Sequence, residues 1–389
     1  MQRFPAFLLL CISLLLLLLA GCSNDPPSAV GKGLVLRSGK DSLKVTGKTF
    51  LAISDSTVLN RITGNSIYLL LGKAEGVESR MLLRFSTVNG DTSSTGIESA
   101  VLYLRPVYLF KDTIGRLAFS IHLANSTVWD PKTFLWDSSN APGFVNDTIA
   151  GRFNHTISAS DTQIAIHLDT SIVRRWVAAG VGSMILMPSD SSNILGGFFN
   201  NSLYSVVPRC VITYHSSTDT LPHTYEATAA TFVANAPPFS IPAGASRFYT
   251  QSAVARRGIV KFNVSAIERG ATISSAILEV TIDPTLSTFT TPRRDTMLAH
   301  LNLASAGDSL GYGVLNMTTD STQRVISFQV NTIVQKWVNH MYSSNGFANN
   351  GFVLRNYSEF SGGERIAFYG AHADSLHRPR LHIIYTLVP

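Results

Sequence analysis

The chain passes through the same four sequence blocks twice, in the same order. Matched positions lie 161 to 177 residues apart, as Trp176 and Trp337 or Phe85 and Phe262 show. Because the spacing changes between blocks, the length differences fall in loops, which vary more readily than cores. A repeat this long predicts two tandem domains rather than a solenoid of short units. The paired blocks are SRMLLRF (79–85) with RRGIVKF (256–262), SAVLYL (99–104) with SAILEV (275–280), IAIHLDTSIVRRWV (164–177) with ISFQVNTIVQKWV (326–338), and PRCVITY (208–214) with PRLHIIY (379–385).

Alternation of apolar and polar residues dominates both copies. Ala100, Leu102 and Leu104 would lie on one face of a strand, and the second copy repeats this pattern at 276–280. Period-two patterns of this length are typical of half-buried antiparallel strands. Two packed sheets in each copy would bury one face of every strand. The sequence therefore predicts an all-β protein of two tandem antiparallel β-sandwich domains, jelly-roll-like, each with one short helix.

The helix predicted in each copy directly follows a strand. Asp169 and Asn331 stand at matching positions, and either side chain can accept a hydrogen bond from the first free N–H groups of a helix. The apolar residues after them recur at helical spacing. This predicts that Trp176 and Trp337 pack in the cores rather than form platforms for sugars. Cys210 matches a leucine of the second copy, so we expect a small buried hydrophobic residue there.

The first 22 residues predict the cellular address. After Arg3, an apolar run (4–20) is too short to be a lasting membrane span. The run ends in LAGC (19–22), which resembles a bacterial lipobox; the alternative is an ordinary signal peptide that happens to end in cysteine. We therefore expect Cys22 to be lipidated and to anchor the protein to the bacterial cell envelope. Ser23 favours the outer membrane, with the domains either periplasmic or surface-exposed.

These features give the predicted boundaries and exclude some partners. We expect a signal peptide at 1–21, a tether at 22–35, the first sandwich at 36–216, a linker at 217–221 and the second sandwich at 222–389. Once the signal peptide is removed and Cys22 is lipidated, only Cys210 remains, so no intrachain disulfide can form. The net charge is +6, but the basic residues are scattered. Nucleic-acid binding would require clustered basic residues and an associated motif, so we expect no nucleic-acid partner.

Each half resembles the DNRLRE-type domain, a β-sandwich family grouped with carbohydrate-binding modules. The resemblance rests on an Arg-x-x-x-(Arg/Lys)-Phe strand (80–85, 257–262), a Ser-Ala-x-Leu strand, a Thr-x-x-Val-x-x-Trp-Val helix (170–177, with a near-copy at 332–338) and a final Pro-x-Leu-x-Ile-x-Tyr strand. The second copy also has NGFVL (350–354), which is similar to the family's Asn-x-Gly-x-x-Leu strand. The resemblance covers about residues 40–216 and 222–389 and is weaker in the first copy, which has a longer insert between 104 and 164. It implies the fold and, because some members bind polysaccharide, a sugar-binding role by analogy.

Two short motifs would indicate an esterase in another context. GDSL (307–310) and DSLH (374–377) spell the nucleophile and Asp-x-x-His blocks of GDSL esterases. In those enzymes the serine follows a parallel strand of an α/β fold, whereas both blocks lie here in an all-β pattern with no oxyanion-hole block between them. The sequence also nominates no pair of acidic residues for glycoside hydrolysis. We expect no enzymatic activity.

No cofactor is predicted, and a structural calcium ion is the only metal that the sequence leaves open. The histidines show no spacing suited to zinc. Two DSSN segments (137–140 and 190–193) could offer oxygen ligands to calcium. Segments of this composition also form polar turns without any metal.

Five side chains outside the core pattern are the candidate ligand-binding residues. Exposed aromatic faces and planar polar groups are the usual means of contacting sugars, although each of these residues could instead pack beneath its own loop. We expect a surface-anchored, non-catalytic lipoprotein that binds extracellular polysaccharide. The alternative is a structural or adhesive envelope protein whose sandwiches dock other proteins. The candidates are Trp129, Trp136, Tyr342, Arg355 and Tyr357.

Overall fold

The computed structural model describes residues 44–60, 66, 68–86, 96–200, 207–215, 220–289, 296–317, 322, 324–343 and 345–387. The signal peptide, Cys22 and the tether lie outside these residues, as does most of the predicted linker. Strands dominate the described part of the chain, all pairings between strands are antiparallel, and three helices interrupt them. This confirms the all-β, sandwich-like fold.

The strands and helices are numbered in chain order. The strands that build the first half are β2 (Tyr68–Ala74), β3 (Val77–Ser86), β4 (Gly96–Leu104), β5 (Pro106–Leu109), β6 (Ile114–Ala124), β7 (Val145–Ser158), β8 (Ile164–His167), β9 (Val181–Pro188), β10 (Leu195–Phe199), β11 (Arg209–His215) and β12 (Thr220–Asn235). Those that build the second half are β1 (Lys44–Leu59), β13 (Arg247–Gln251), β14 (Arg256–Phe262), β15 (Thr272–Thr281), β16 (Met297–Asn302), β17 (Leu310–Leu315), β18 (Val325–Gln329), β19 (Phe352–Asn356), β20 (Arg365–Tyr369) and β21 (Arg380–Leu387). The helices are α1 (Trp136–Ser139), α2 (Thr170–Ala179) and α3 (Asn331–Tyr342).

The two halves share one strand order. In the first half the order is β7-β6-β9-β3-β12-β11-β4-β8, and in the second it is β17-β16-β19-β14-β1-β21-β15-β18. The remaining strands extend the sheets at β3, through β2-β10-β5, and at β14, through the shorter series β13-β20. The internal repeat therefore extends from sequence to topology.

Each sandwich is closed by one long strand that runs along the edges of both of its sheets. Strand β12 pairs first with β11 and then with β3, and β1 pairs first with β21 and then with β14. The first described strand therefore belongs to the second sandwich. The predicted boundaries were wrong here: residues 44–59 are not part of the first sandwich, and residues 222–235 are not part of the second.

The two closing strands occupy equivalent positions residue by residue. Ala52 pairs with Phe262, and Ala227 pairs with Phe85 at the matching position of the first sandwich. In each strand the register then shifts by one residue at the same place, between 52 and 54 and between 227 and 229. Local alternation does not say which sheet a strand joins, because the same pattern fits either sandwich. The sequence therefore could not show that β1 closes the second sandwich and β12 the first.

The cores bear out the residues predicted for them. Trp176 and Trp337 are buried in the two main hydrophobic clusters, and Cys210 is buried as well. Asp169 caps α2 by accepting a hydrogen bond from the Ser171 N–H at 2.8 Å. Asn331 does not act as a cap: α3 begins at Asn331 itself, and its side chain accepts a hydrogen bond from the backbone of Ala276 instead.

The first sandwich has one helix more than predicted. The four-residue helix α1 lies in the insert that follows β6. None of the helices in the described ranges is long and apolar enough to cross a membrane.

An apolar cluster joins the two sandwiches. Leu70, Phe110 and Leu195 of the first sandwich pack with Ala253 and Val254, which lie in the turn between β13 and β14 of the second. This turn is held in an unusual conformation, since Ala253 and Ala255 have φ angles of 66° and 49°. Non-glycine residues adopt such angles at an energetic cost. The junction is therefore a packed interface and not a free hinge.

Candidate functional site

The two sandwiches differ most on one outer sheet face, formed by β3 and β9 in the first and by β14 and β19 in the second. Leu82 pairs with Ile185 on this face, and Ile259 pairs with Val353 at the matching position. All four side chains are buried although they point away from the main cores. Something must therefore cover this face in each sandwich, and the two coverings are chemically different.

The insert of the first sandwich provides an apolar cover. Trp129 and Phe134 pack onto Leu82 and Ile185 in a separate hydrophobic cluster. The indole N–H of Trp129 donates a hydrogen bond to the hydroxyl of Ser183 at 3.0 Å, so the buried polar atom of this side chain is satisfied. The outer face of the first sandwich is thus closed by side chains of the insert.

A network of charged groups covers the same face of the second sandwich. Arg257 donates two hydrogen bonds to the carboxylate of Glu359, at 2.7 and 2.9 Å, and a third to Asp308 at 2.6 Å. All three side chains are at most 9% exposed. Burial alone would lower the pKa of Arg257, but the two carboxylates outweigh it and raise the pKa above its usual value. Loops after β16 and β19 supply the carboxylates.

Arg355 and His300 lie beside this network. The Nε atom of Arg355 donates to Nε2 of His300 at 3.1 Å, and Nδ1 of His300 lies 3.0 Å from the carbonyl oxygen of Gly311. Both contacts are satisfied together only if His300 is neutral and carries its proton on Nδ1. Burial lowers the pKa of His300, and the positive charges of Arg355 and Arg257 lower it further.

The guanidinium group of Arg355 retains hydrogen-bonding capacity. Its NH1 atom is 3.6 Å from Glu359, which makes an ion pair but not a hydrogen bond. Within the described ranges, its two terminal nitrogens donate no hydrogen bond to the protein. The side chain is 18% exposed. The group is therefore fixed in position by His300 and Glu359 while several of its N–H bonds remain available to a ligand.

Tyr357 lies close to Arg355. It is the first residue of the turn after β19, which ends at Asn356. Burial lowers the pKa of Arg355, and Tyr357 is near enough to oppose this shift electrostatically. Tyr357 is 62% exposed, and its backbone N–H donates to the carbonyl of Thr296. Two of the five candidate residues are thus brought together, as an exposed ring beside a fixed cation.

The other three candidates lie elsewhere. Trp129 is buried beneath its own loop, and Tyr342 donates its hydroxyl to the carbonyl of Ile267 near the end of α3. Trp136 is half-buried, with the guanidinium carbon of Arg80 at 4.2 Å from its ring centroid. It lines a small cleft of about 70 Å³ between the sandwiches, together with the end of β12 and Val254. A role for these three residues in binding stays a prediction.

The candidate calcium ligands already have protein partners. Asn140 accepts a hydrogen bond from Arg80, Asp190 pairs with Lys73 at 2.8 Å, and Asn193 accepts from the backbone of Arg116. Across the described residues, no group of three or more His, Cys, Asp or Glu side chains is placed to hold a metal ion.

The esterase-like motifs serve structural purposes in this fold. Asp308, inside GDSL, is engaged by Arg257, and the backbone N–H of Ser309 donates to the side chain of Asn302. Asp374 and His377 contact each other at 2.8 Å in the turn before β21. Four strands separate β17 from β21 in the sheet order. The absence of enzymatic activity remains a prediction.

One component of the polar face was missed from the sequence. His122 of β6 and His300 of β16 occupy equivalent positions, since they pair with Ile185 and Val353 respectively. Each is followed by leucine, and each places Nδ1 within 3.0 Å of a backbone carbonyl of the next strand. The repeated His-Leu pair was the available signal. The acidic partners gave none, because they lie on loops far apart in the sequence.

Comparison with known proteins does not assign the chain to a family. No protein-family model matches it, and no curated protein matches it as a relative.

Proposed function

We propose that the protein is a non-catalytic, envelope-anchored lipoprotein that binds extracellular polysaccharide through the outer face of its second sandwich. The observation that carries the proposal is the pairing of Tyr357, exposed on its face, with Arg355, whose terminal N–H groups make no hydrogen bond within the described part of the chain. An aromatic ring supplies a stacking surface for a pyranose ring, and a guanidinium group supplies fixed donors for its hydroxyl or carboxylate oxygens.

Preorganisation supports this location. Ligand binding is stronger where the contacting side chains need not be ordered first. Arg355 is held by His300 and Glu359, and β19 pairs with strands on both sides. The first sandwich lacks this arrangement, because Met187 stands where Arg355 would be and packs against the apolar cover of the insert. The second sandwich is therefore the proposed binding unit.

The location of the protein rests on the sequence. The predicted lipobox at Cys22 and the resemblance to DNRLRE-type domains both favour a place at the cell envelope, where polysaccharide is the natural ligand class. The arrangement of Arg355 and Tyr357 at the proposed binding face does not depend on the anchor or on the family.

Glycan arrays test this proposal. The soluble chain from residue 31 would be applied to an array that includes acidic and neutral polysaccharides. We expect saturable binding to one class of glycan, weakened about tenfold by Tyr357→Ala, since a stacked aromatic contact is worth on the order of 1 kcal/mol or more. Arg355→Met, which copies the residue of the first sandwich, should weaken binding at least as much.

Tyr312→Ala is the matched control. Tyr312 is 53% exposed on the neighbouring hairpin. Gly313 lies directly opposite His300, so the side chain of Tyr312, one position along the strand, points to the other side of the sheet. Loss of binding in this variant, or full binding in both Tyr357→Ala and Arg355→Met, would place the ligand elsewhere. No binding by folded protein to any glycan would refute the proposal.

A structural or adhesive role is the second candidate. It is favoured by exposed apolar side chains on or beside β1, of which Val45, Ile53 and Ile384 are 65%, 52% and 46% exposed. Surfaces of this kind are common in protein–protein contacts. The apolar surface between the sandwiches does not add to it, because it is buried in the junction cluster.

A further inference from the structure

Strand β1 is held in the second sandwich by its backbone more than by its side chains. Among its sixteen residues only Ala52 is fully buried, and Phe50 is partly buried against the core. Strand β12, which closes the first sandwich, buries the run 229–233, including Phe232 and Val233. Yet β1 makes ladder pairings along its whole length, from Lys44 opposite Leu387 to Leu59 opposite Arg256. A strand attached in this way depends less than β12 does on the apolar packing of its own side chains.

The second sandwich needs such a strand. Without β1, the edges of β21 and β14 would be unpaired, and the two sheets would lose the strand that joins them. Unpaired sheet edges are templates for the addition of another strand. The acceptor edges lie in one half of the chain and the donor strand lies at the start of the other half.

Side-chain contacts make β1 specific for the second sandwich. The carboxylate of Asp55 accepts a hydrogen bond from the backbone of Ala371, and the hydroxyl of Thr57 accepts one from the backbone of Tyr249. In the otherwise equivalent strand β12, these positions are taken by Ala230 and Phe232. Closing strands of the β12 type therefore lack the groups that fit this groove, and a β1 strand has them.

We propose that the second sandwich also accepts β1 from a second copy of this chain, so that copies become linked by strand exchange. Exchange would keep every pairing seen within one chain, because the donor and the acceptor sequences are identical. Only the segments that connect the two halves of each chain would run differently. Exchange of identical elements is a low-cost route to oligomers for this reason. One such connection, residues 236–246 between β12 and β13, is eleven residues long and contains three prolines.

Disulfide trapping between two differently tagged full-length chains tests the proposal. One chain carries Gly47→Cys and the other carries Ile384→Cys. These residues pair directly across β1 and β21. A side chain at Gly47 would meet nothing within 4 Å, and Ile384 is 46% exposed. A mixed disulfide forms efficiently when β1 of one copy lies on β21 of the other, because this placement holds the sulfur atoms within bonding distance.

We expect a disulfide-linked dimer carrying both tags after co-production and oxidation, at several times the yield of two controls. The first control pairs Gly47→Cys with Val128→Cys, whose position in the first sandwich is 89% exposed and reports random collision. The second uses two tagged chains without added cysteines and reports any disulfide made by the natural cysteines. Cys210 should contribute little, because burial raises the pKa of its thiol to about 12.

A single chain that carries both Gly47→Cys and Ile384→Cys shows whether cysteines at these two positions can form a disulfide at all. If it forms the intrachain disulfide while the mixed pair gives no dimer above the controls, β1 stays within its own chain and the proposal is wrong. If the double variant forms no disulfide, the pair Thr49→Cys and His382→Cys replaces it, since these side chains are already in contact at 2.9 Å. The same comparison of mixed and control pairs then decides.

Discussion

The two sandwiches have the same strand order and differ in what covers one outer sheet face. Arg80 and Arg257 occupy equivalent positions, five residues before the matched phenylalanines. In the first sandwich the arginine stacks on Trp136 beside an apolar cluster. In the second it is buried between two carboxylates. One scaffold thus supports either a sealed apolar face or a polar, charged face, and the difference is made by loops.

The largest expected effect comes from the buried ion pairs. Arg257→Met should lower the free energy of unfolding by about 3–5 kcal/mol, since it removes the hydrogen-bonded cation from between the buried carboxylates of Glu359 and Asp308. Arg80→Met should cost about 1 kcal/mol, because its partner Glu78 is 27% exposed and can be solvated. Urea denaturation of both variants measures the contrast. Equal losses would show that the two faces do not differ in this way.

The apolar cover should contribute somewhat less. Trp129→Ala is expected to lower the free energy of unfolding by about 3 kcal/mol, because it removes a large buried side chain and leaves Ser183 without its donor. Trp136→Ala, at a half-buried position, should cost about 1 kcal/mol. Thermal unfolding checks both. A Trp129→Ala loss no greater than that of Trp136→Ala would mean that the insert does not seal the face.

The polar face should respond to pH. The pKa of His300 is lowered by burial and by Arg355, so the folded state resists protonation of this group more than the unfolded state does. The contribution of neutral His300 to the stability of the second sandwich is therefore fully present above the ordinary histidine pKa, about 6.5, and is lost as the pH falls through the lower folded value. Arg355→Met should raise the pKa of His300 and reduce this acid loss.

Titration of the His300 ring by NMR measures this change. Lys261→Met serves as control, because Lys261 lies on the same face of β14 but makes no contact with His300 or Arg355 in the described network. A pKa of His300 that is the same with and without Arg355 would remove the arginine as a cause of the shift.

The smallest expected effect concerns a matched core position. Cys210 is buried, and burial raises the pKa of its thiol to about 12. We expect no reaction with a thiol reagent at pH 8 while the protein is folded and complete reaction in denaturant. Rapid labelling of the folded protein would show that the first sandwich opens at the position where the second has a buried Leu381.

The sequence predicted the features that depend on neighbouring residues and missed those that depend on residues far apart in the chain. Alternation and helical spacing are local, so the strands, the helices after β8 and β18, and the burial of Trp176 and Trp337 could be predicted from them. The partner of β1 could not be, because its alternation fits either sandwich. The role of Asn331 also escaped, since its hydrogen-bond partner Ala276 lies on another strand.

Only part of the candidate site could be predicted from the sequence, because only part of it is formed by residues that are close together in the chain. Arg355 and Tyr357 are two positions apart, at the end of β19 and in the turn after it, so their proximity follows from the chain itself. Asp308 and Glu359 lie on separate loops, and only folding brings both to Arg257. Sequence reasoning could thus find the exposed part of the site but not the buried groups that hold it.

The pairing of the first described strand with the last has a consequence for synthesis. The first sandwich has all its described strands once residue 235 has been made, whereas the second must wait for β21, which ends at residue 387. Strand β1 is made before any of its partners and has the longest wait for them. Contacts between such distant residues fold slowly, and strands left without partners are prone to aggregate. A chain whose synthesis stops between residues 235 and 380 should therefore contain a complete first sandwich. Strand β1, which precedes that sandwich in the chain, would lack its partner β21.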